Sequence, residues 1–352
     1  MNIKITGSGS YIPTETISNK DFAQHSFLND DGTPFPHPND IVAEKFLEIT
    51  GIRERKYVSD DLCTSDIAFI AAQKAIEDAN IDPETLDYII LAHNFGDVKK
   101  GAIQSDILPS LATRVKHHLR IKNPKCVAYD ILFGCPGWVE GVIQATAFIK
   151  AGMAKKCLVI GAETLSRVVD MHDRDSMIYS DGAGATIIEA TDDAGGILAH
   201  ETATFTYDEA YYLFFGNSFN KDHNPDVRYI KMHGRKIYEF ALSQVPKAMA
   251  ACLDKSGIDI SQVKKILIHQ ANEKMDEAII QRFYKIYKQT PPEGIMPMSI
   301  HKLGNSSVAT VPTLYDSIQK GEIENQKLEK GDVILFASVG SGMNINAIVY
   351  QM

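Results

Sequence analysis

Two stretches of the chain repeat one pattern of apolar and polar positions. In the first, Ala71-Ala72-Gln73-Lys74-Ala75-Ile76 is followed by Ile81-Asp82-Pro83, Leu86 and the unbroken apolar run Ile89-Ile90-Leu91-Ala92. In the second, Val245-Pro246-Lys247-Ala248-Met249 is followed by Gly257-Ile258-Asp259, Val263 and Ile266-Leu267-Ile268-His269. Each predicts an amphipathic helix, a short turn and a buried strand. Downstream, each half has a helical segment and then a glycine-led elbow, Gly134-Cys135 in one and Gly304-Asn305 in the other. Each elbow leads into a helix and a further buried strand, Lys156-Cys157-Leu158-Val159-Ile160-Gly161 and Asp332-Val333-Ile334-Leu335-Phe336-Ala337. Alternating strands and helices also fit one doubly wound sheet. The paired elbows favour duplication: two similar α/β halves, residues 1–190 and 191–352, packed as layers of helices and sheets.

Composition narrows the function classes. The chain has 352 residues, 44% hydrophobic and 23% charged, as expected of a folded globular protein. A net charge of −9 without a basic stripe speaks against nucleic acid as a partner. No apolar run approaches the roughly 20 residues of a membrane span. Met1-Asn2-Ile3-Lys4-Ile5 enters a strand pattern directly, so no signal peptide is expected. Cys63, Cys126, Cys135, Cys157 and Cys252 are odd in number and widely spaced, which predicts neither a disulfide framework nor a metal site but a reducing cytoplasm.

One cysteine stands apart. In Ala128-Tyr129-Asp130-Ile131-Leu132-Phe133-Gly134-Cys135-Pro136-Gly137-Trp138, a strand-like run ends in a tight elbow, and a helix-like run from Trp138 to Lys150 follows. This predicts a thiol on the first turn of a buried helix, where free N–H groups and the helix dipole favour thiolate. The plainer alternative is an inert buried cysteine. His269 at a strand end and Asn305 after a glycine each read alone as structural residues. At matching positions of two halves they converge with Cys135 into a set holding one nucleophile and two donors for a developing oxyanion.

These residues lie in motifs that resemble those of the thiolase superfamily, and within it the β-ketoacyl-acyl-carrier-protein synthase III family. The resemblance rests on Ile5-Thr6-Gly7-Ser8-Gly9-Ser10-Tyr11-Ile12-Pro13, Thr50-Gly51-Ile52-Arg53-Glu54-Arg55, Asp181-Gly182-Ala183-Gly184-Ala185, His269-Gln270-Ala271-Asn272, Gly304-Asn305-Ser306-Ser307 and Gly340-Ser341-Gly342. It implies an αβαβα layered fold and a homodimer. It implies that Cys135 carries an acyl primer as a thioester, and that His269 and Asn305 bind the thioester carbonyl of a malonyl extender and stabilise the enolate left by loss of carbon dioxide. The N–H groups of Cys135 and Ser341 would form the oxyanion hole for acyl transfer. The implied partners are acyl carrier protein and acyl and malonyl thioesters. The implied substrates ride on phosphopantetheine, from coenzyme A or the carrier protein, with no metal or other cofactor.

Some positions depart from the family. Where its coenzyme A-primed members carry Trp and Arg against the adenine, this chain has Lys45 and Ile49, and its single Trp is Trp138. Arg174 matches a family arginine near the nucleotide, Gly234 and Asn272 match pantetheine-side positions, and Arg235 replaces a common Asn. The insert 29–38 reads first as a surface loop, alternatively as a lid or docking edge. Phe133 reads first as core packing, alternatively as a residue that narrows an acyl channel, and 93–101 has an unusual sequence. His117-His118 reads as a solvated face, and Lys274, Arg282, Lys285 and Lys288 as either a solvated face or a carrier-docking stripe. Related condensations (hydroxymethylglutaryl-type, head-to-head, ring-forming) would need an extra carboxylate near the thiol, for which Glu140 and Glu163 are the neighbours in sequence. An inactive acyl-carrier-binding scaffold is the alternative of another class.

Overall fold

In the computed structural model, which describes residues 1–352, the first half runs β1 (Asn2–Tyr11), β2 (Glu15–Ser18), α1 (Asn39–Thr50), β3 (Glu54–Tyr57), α2 (Thr64–Asp78), β4 (Tyr88–Ala92), α3 (Leu111–His118), β5 (Val127–Ile131), α4 (Gly137–Lys150), β6 (Lys156–Thr164) and β7 (Asp181–Thr191). The second half runs β8 (Gly196–Thr204), β9 (Leu213–Gly216), β10 (Tyr229–Met232), α5 (Gly234–Ser256), β11 (Val263–Ile268), α6 (Glu273–Ile286), α7 (Ile300–Leu303), α8 (Thr310–Gln319), β12 (Val333–Gly340) and β13 (Asn344–Gln351).

The two main sheets repeat each other. The first has the order β1-β7-β6-β4-β5 and the second the order β8-β13-β12-β11. In both, an inner parallel pair (β4 with β6, β11 with β12) is followed by antiparallel partners, β7 then β1, or β13 then β8. Only β5 has no counterpart. The second half reaches its elbow through the short helix α7 instead.

Five layers result. On the outer face of the first sheet, Ala71, Ala72 and Ala75 of α2 and Leu111 and Val115 of α3 join the strand residues in one core. The helix lies close because β1 has Gly7 and Gly9 beneath it. A Cβ at either would collide with the α2 backbone. Between the sheets sit α4 and α8, whose Trp138, Val142, Leu314 and Tyr315 share a second core with Ile90, Phe336 and Tyr350. Both are buried on most sides, which explains the largely apolar sequence of α4, broken by Glu140, Gln144, Thr146 and Lys150. α5 and α6 cover the second sheet through Val245, Met249, Ile279 and Phe283. Pro246 lies inside α5 and withdraws the N–H that Leu242 would otherwise bond. Arg282 of α6 donates to that freed Leu242 carbonyl at 3.1 Å. No helix is long and apolar enough to cross a membrane.

Candidate active site

The strands and central helices bring both elbows to one end of the molecule. Gly134, at φ +67°, turns the chain from β5 toward α4, and Gly304, at φ +62°, turns it toward α8. A side chain at Gly134 would meet Ser341, and one at Gly304 would meet Arg55 and Ser180, so glycine serves both backbone shape and close approach. Cys135 lies just outside α4: Pro136 is the N-cap, and the helix starts at Gly137. The thiol therefore precedes the first turn rather than standing on it, because the Gly134–Gly137 turn, closed by the Gly137 N–H to Gly134 carbonyl bond, needs those residues. The expected gain from the helix start also meets an opposing force. Burial pushes the Cys135 thiol up to about 11, Glu163 adds to the rise, and a hydrogen bond from Ser307 Oγ, 3.4 Å from the sulfur, opposes it.

Cys135, His269 and Asn305 line one cavity of about 1120 Å³. His269 is buried and extends β11 by donating its backbone N–H to Ala337. Neither ring nitrogen has a protein partner. Nδ1 is sealed away from solvent, which leaves Nε2 to the cavity. Burial alone pulls the His269 pKa down to about 4, so the imidazole is neutral at physiological pH. Its neighbour Gln270 fixes the loop, donating to the Pro297 carbonyl and accepting from the N–H groups of Ser299 and Ile300. Asn305 is clamped through its backbone: its N–H donates to Ile178 and its carbonyl accepts from Ser180. Its Oδ1 accepts the Ser307 N–H, leaving Nδ2 free.

Ser341, after β12, also lines the cavity. Gly340 lets this turn pass so near Cys135 that any Cβ there would strike the Cys135 N–H. Asn344 ties the two loops, with Nδ2 donating to the carbonyls of Ser341 and Phe133 at 2.8 and 3.4 Å. Phe133 itself is half-buried in the cavity wall.

The mouth is built from α1, the insert 29–38 and the start of α5. Lys45 and Ile49 of α1 line it, as do Arg174, Gly234 and Arg235. Arg235 is exposed and pairs with Glu239 one helical turn on. Asn272 lines the cavity and caps α6, Oδ1 accepting the Met275 N–H. The insert is not a detached surface loop: Asn29, Asp30, Phe35, Pro36 and His37 form part of the wall. Phe35 lies under the Arg174 guanidinium, 4.6 Å from its centre. The insert is held from outside by Lys221, whose Nζ donates to the Asp30 carbonyl. His117 and His118 are exposed on α3. Of the proposed basic stripe, Arg282 is spent on Leu242 and Lys288 lies beyond the end of α6.

Sequence reasoning missed Ser307, Asn94 and Asn344, and it left Glu163 outside the site. Glu163 is fully buried, and burial pushes its carboxyl up to about 7 against the pull of His93 and the Asn94 donors. Asn94 lines the cavity between Glu163 and Ser307. The unusual His93-Asn94 pair at the end of β4 was the available signal. His93 anchors it, with Nε2 3.0 Å from Asp130 and Nδ1 accepting the Gly96 N–H. Glu140 sits elsewhere, bonded to Asn346 and Gln144 beneath the elbow.

Known proteins resemble this chain in sequence and fold. The description "3-Oxoacyl-[acyl-carrier-protein (ACP)] synthase III" matches residues 129–205, and its C-terminal counterpart matches residues 253–352. The chain is 32% identical over 354 residues to the β-ketoacyl-[acyl-carrier-protein] synthase III of Oceanobacillus iheyensis, covering 100% of this chain and 99% of the relative. It is 31% identical over 348 residues to that of Erythrobacter litoralis, covering 97% of each. The crystal structure of 3-oxoacyl-[acyl-carrier-protein] synthase III from Aquifex aeolicus superposes with a TM-score of 0.79 at 30% identity, over 99% of this chain and 100% of that one. With the duplicated layers, the elbow cysteine and the His and Asn turned into one cavity, this chain belongs to the β-ketoacyl-acyl-carrier-protein synthase III family.

Proposed function

We propose that the protein catalyses a decarboxylating Claisen condensation between an acyl primer and a malonyl-acyl carrier protein, as an acyltransferase of fatty acid biosynthesis. One observation carries this reading: Cys135, His269 Nε2 and Asn305 Nδ2 face a single cavity with no protein partner on either nitrogen. In the first half-reaction the sulfur of Cys135 attacks the primer thioester. The carrier thiol leaves with a proton, and the N–H groups of Cys135 and Ser341 hold the tetrahedral oxyanion. In the second, loss of carbon dioxide from the malonyl group puts negative charge on its thioester oxygen. Neutral His269 and Asn305 donate to that oxygen more strongly as the charge grows, which lowers the barrier rather than only binding the ground state. The enolate carbon then attacks the acyl-Cys135 carbonyl and expels the thiolate.

Both substrates are read as phosphopantetheine thioesters, entering past Gly234 and Asn272, with no metal or redox cofactor. For the primer we favour the carrier protein over coenzyme A. Lys45 and Ile49 offer no planar stack for an adenine. Exposed Lys45 at the mouth suits an acidic carrier. A homodimer is supported by β5, an edge strand with Val127 exposed, beside exposed Ile107, Leu108 and Leu132. Five unpaired cysteines support a reducing cytoplasm.

Glu163, bonded to Asn94 close behind the thiol, favours a second reading, the joining of two acyl chains with a carboxylate base. That carboxyl is spent on Asn94 and does not line the cavity, so the decarboxylating reading is preferred. Intact-protein mass spectrometry tests both. Each acyl group is offered on coenzyme A and on carrier protein, followed by malonyl-carrier protein. Acyl transfer to Cys135 from the carrier, then loss of the adduct only with malonyl-carrier protein, is the expected result. A stable adduct that no malonyl donor discharges would mean an acyl-binding scaffold, and product without a malonyl donor would mean the second reading.

A further inference from the structure

Three hydrogen bonds lead from buried Glu163 to the sulfur of Cys135. Glu163 Oε2 accepts from Asn94 Nδ2 at 2.6 Å and from the Asn94 N–H at 3.0 Å. Asn94 Nδ2 lies 3.1 Å from Ser307 Oγ, and Ser307 Oγ lies 3.4 Å from Cys135 Sγ. Counting protons gives this chain a direction. The Asn94 N–H already donates to Oε2, and above about pH 7 Glu163 is ionised and only accepts, so in that form Asn94 presents its nitrogen and not its oxygen to Glu163. The second hydrogen on that nitrogen goes to a lone pair of Ser307. The single hydroxyl hydrogen of Ser307 is then left for the sulfur.

The backbone at Ser307 points the same way. Its φ of +53° lies in the left-handed region, which costs a residue with a Cβ roughly 1–2 kcal/mol. Glycine would avoid that cost, yet a hydroxyl is held there, fixed by the bond from its N–H to Asn305 Oδ1.

We infer that Ser307 is a further catalytic donor of this site, whose hydroxyl is aimed at the Cys135 thiolate by the positioning pair Asn94 and Glu163. The inference rests on the reading of Cys135 as the acyl acceptor. Both half-reactions need such a donor. When the primer enters, the bond between its carbonyl carbon and the carrier sulfur breaks, the bond to Cys135 forms, and the cysteine proton leaves on the carrier thiol. When the enolate attacks, the carbon–carbon bond forms and the bond to Cys135 breaks, leaving thiolate. The sulfur is anionic at the start of one step and the end of the other, so a donor to it assists entry and exit alike. Burial, which pushes this thiol up, makes that donor count for more.

The test is the pH dependence of Cys135 alkylation by iodoacetamide, followed by intact mass on the full chain. Ser307→Gly removes the hydroxyl and suits the positive φ, so its melting temperature should equal or exceed that of the wild type. Hydrogen bonds to charged groups are worth about 1.5–3 kcal/mol, so its alkylation midpoint should rise by about one pH unit or more, with roughly tenfold slower reaction below it. Ser307→Ala should behave alike, and Asn94→Leu should shift the midpoint the same way by less. A Ser307→Gly profile that overlays the wild type overturns the inference. A shifted midpoint in an enzyme that no malonyl donor turns over leaves this inference standing and overturns the proposed reaction.

Discussion

Asn305 Oδ1 accepts the backbone N–H of Ser307 at 2.8 Å, and this bond decides which end of the amide meets the substrate. With the oxygen engaged, Nδ2 is the atom presented to the cavity. An Asn305→Asp variant can keep the bond to Ser307 but offers the cavity only an acceptor. Loss of one oxyanion donor typically costs about 2.7–4 kcal/mol of barrier, so malonyl decarboxylation should fall by roughly 10²–10³-fold. Transfer of the primer to Cys135, read by intact mass, should persist. Acylation lost in the same proportion would remove Asn305 from the malonyl half of the reaction.

His269 should act as a neutral donor, and stability should reveal it. Its pKa in the folded state is about 4, below the usual 6.5, because burial opposes charge. Between these values the unfolded chain binds a proton that the folded chain refuses, so stability contributed at this site is lost as pH falls through that window. The gap corresponds to about 3 kcal/mol. Urea unfolding of wild type and His269→Gln should therefore diverge most between pH 7 and pH 4.5, with the wild type falling more steeply. Parallel curves would mean that the imidazole titrates normally.

The sequence made the duplication, the layers and the three principal site residues legible because each leaves a local trace. Apolar runs mark β4, β6, β11 and β12, and glycines mark both elbows. The Ser307 contact left none, since it joins residues 172 positions apart in a chain whose hydroxyl could have capped any turn. Glu163 looked like a neighbour of Cys135 only in sequence. What connects them is Asn94, at the end of a strand paired with β6. The insert misled for a different reason: loop composition does not say what a loop leans on, and this one leans on Arg174 and Lys221.

Gly134→Ala should slow acylation by more than its loss of stability, roughly 1–2 kcal/mol for a Cβ in the left-handed region, accounts for. The residue sits at φ +67°, and an added methyl would lie 2.6 Å from Ser341 Oγ. The elbow and the Ser341 turn would have to part, moving the two N–H groups proposed for the oxyanion hole. Sub-ångström fit matters for such donors, so acyl transfer to Cys135 should slow by about 100-fold, while the α4 and α8 core is untouched. Mass spectrometric acylation rates beside a thermal melt make the comparison. Wild-type acylation would show that the hole does not lie between these loops.

Lys231→Met tests what holds the mouth in shape. Lys231 is buried on β10, and its Nζ donates to Asp170 at 2.6 Å and Asp173 at 2.9 Å. Asp170 also accepts from Ser218 Oγ and the Phe219 N–H. One ammonium thus joins β10, the 218–219 turn and the 170–175 segment that carries Arg174 and Asp175 into the cavity wall. Methionine would fill similar volume but leave two carboxylates buried without a cation, a loss of about 3–5 kcal/mol in urea unfolding. Asp170→Asn beside it should recover part of that loss by removing one stranded charge. Because no hydrogen bond joins the cluster to Cys135, the double variant should bind acyl donors more weakly while alkylating Cys135 at the wild-type rate. A single variant that loses under 1 kcal/mol would show that the mouth is held by the apolar wall alone.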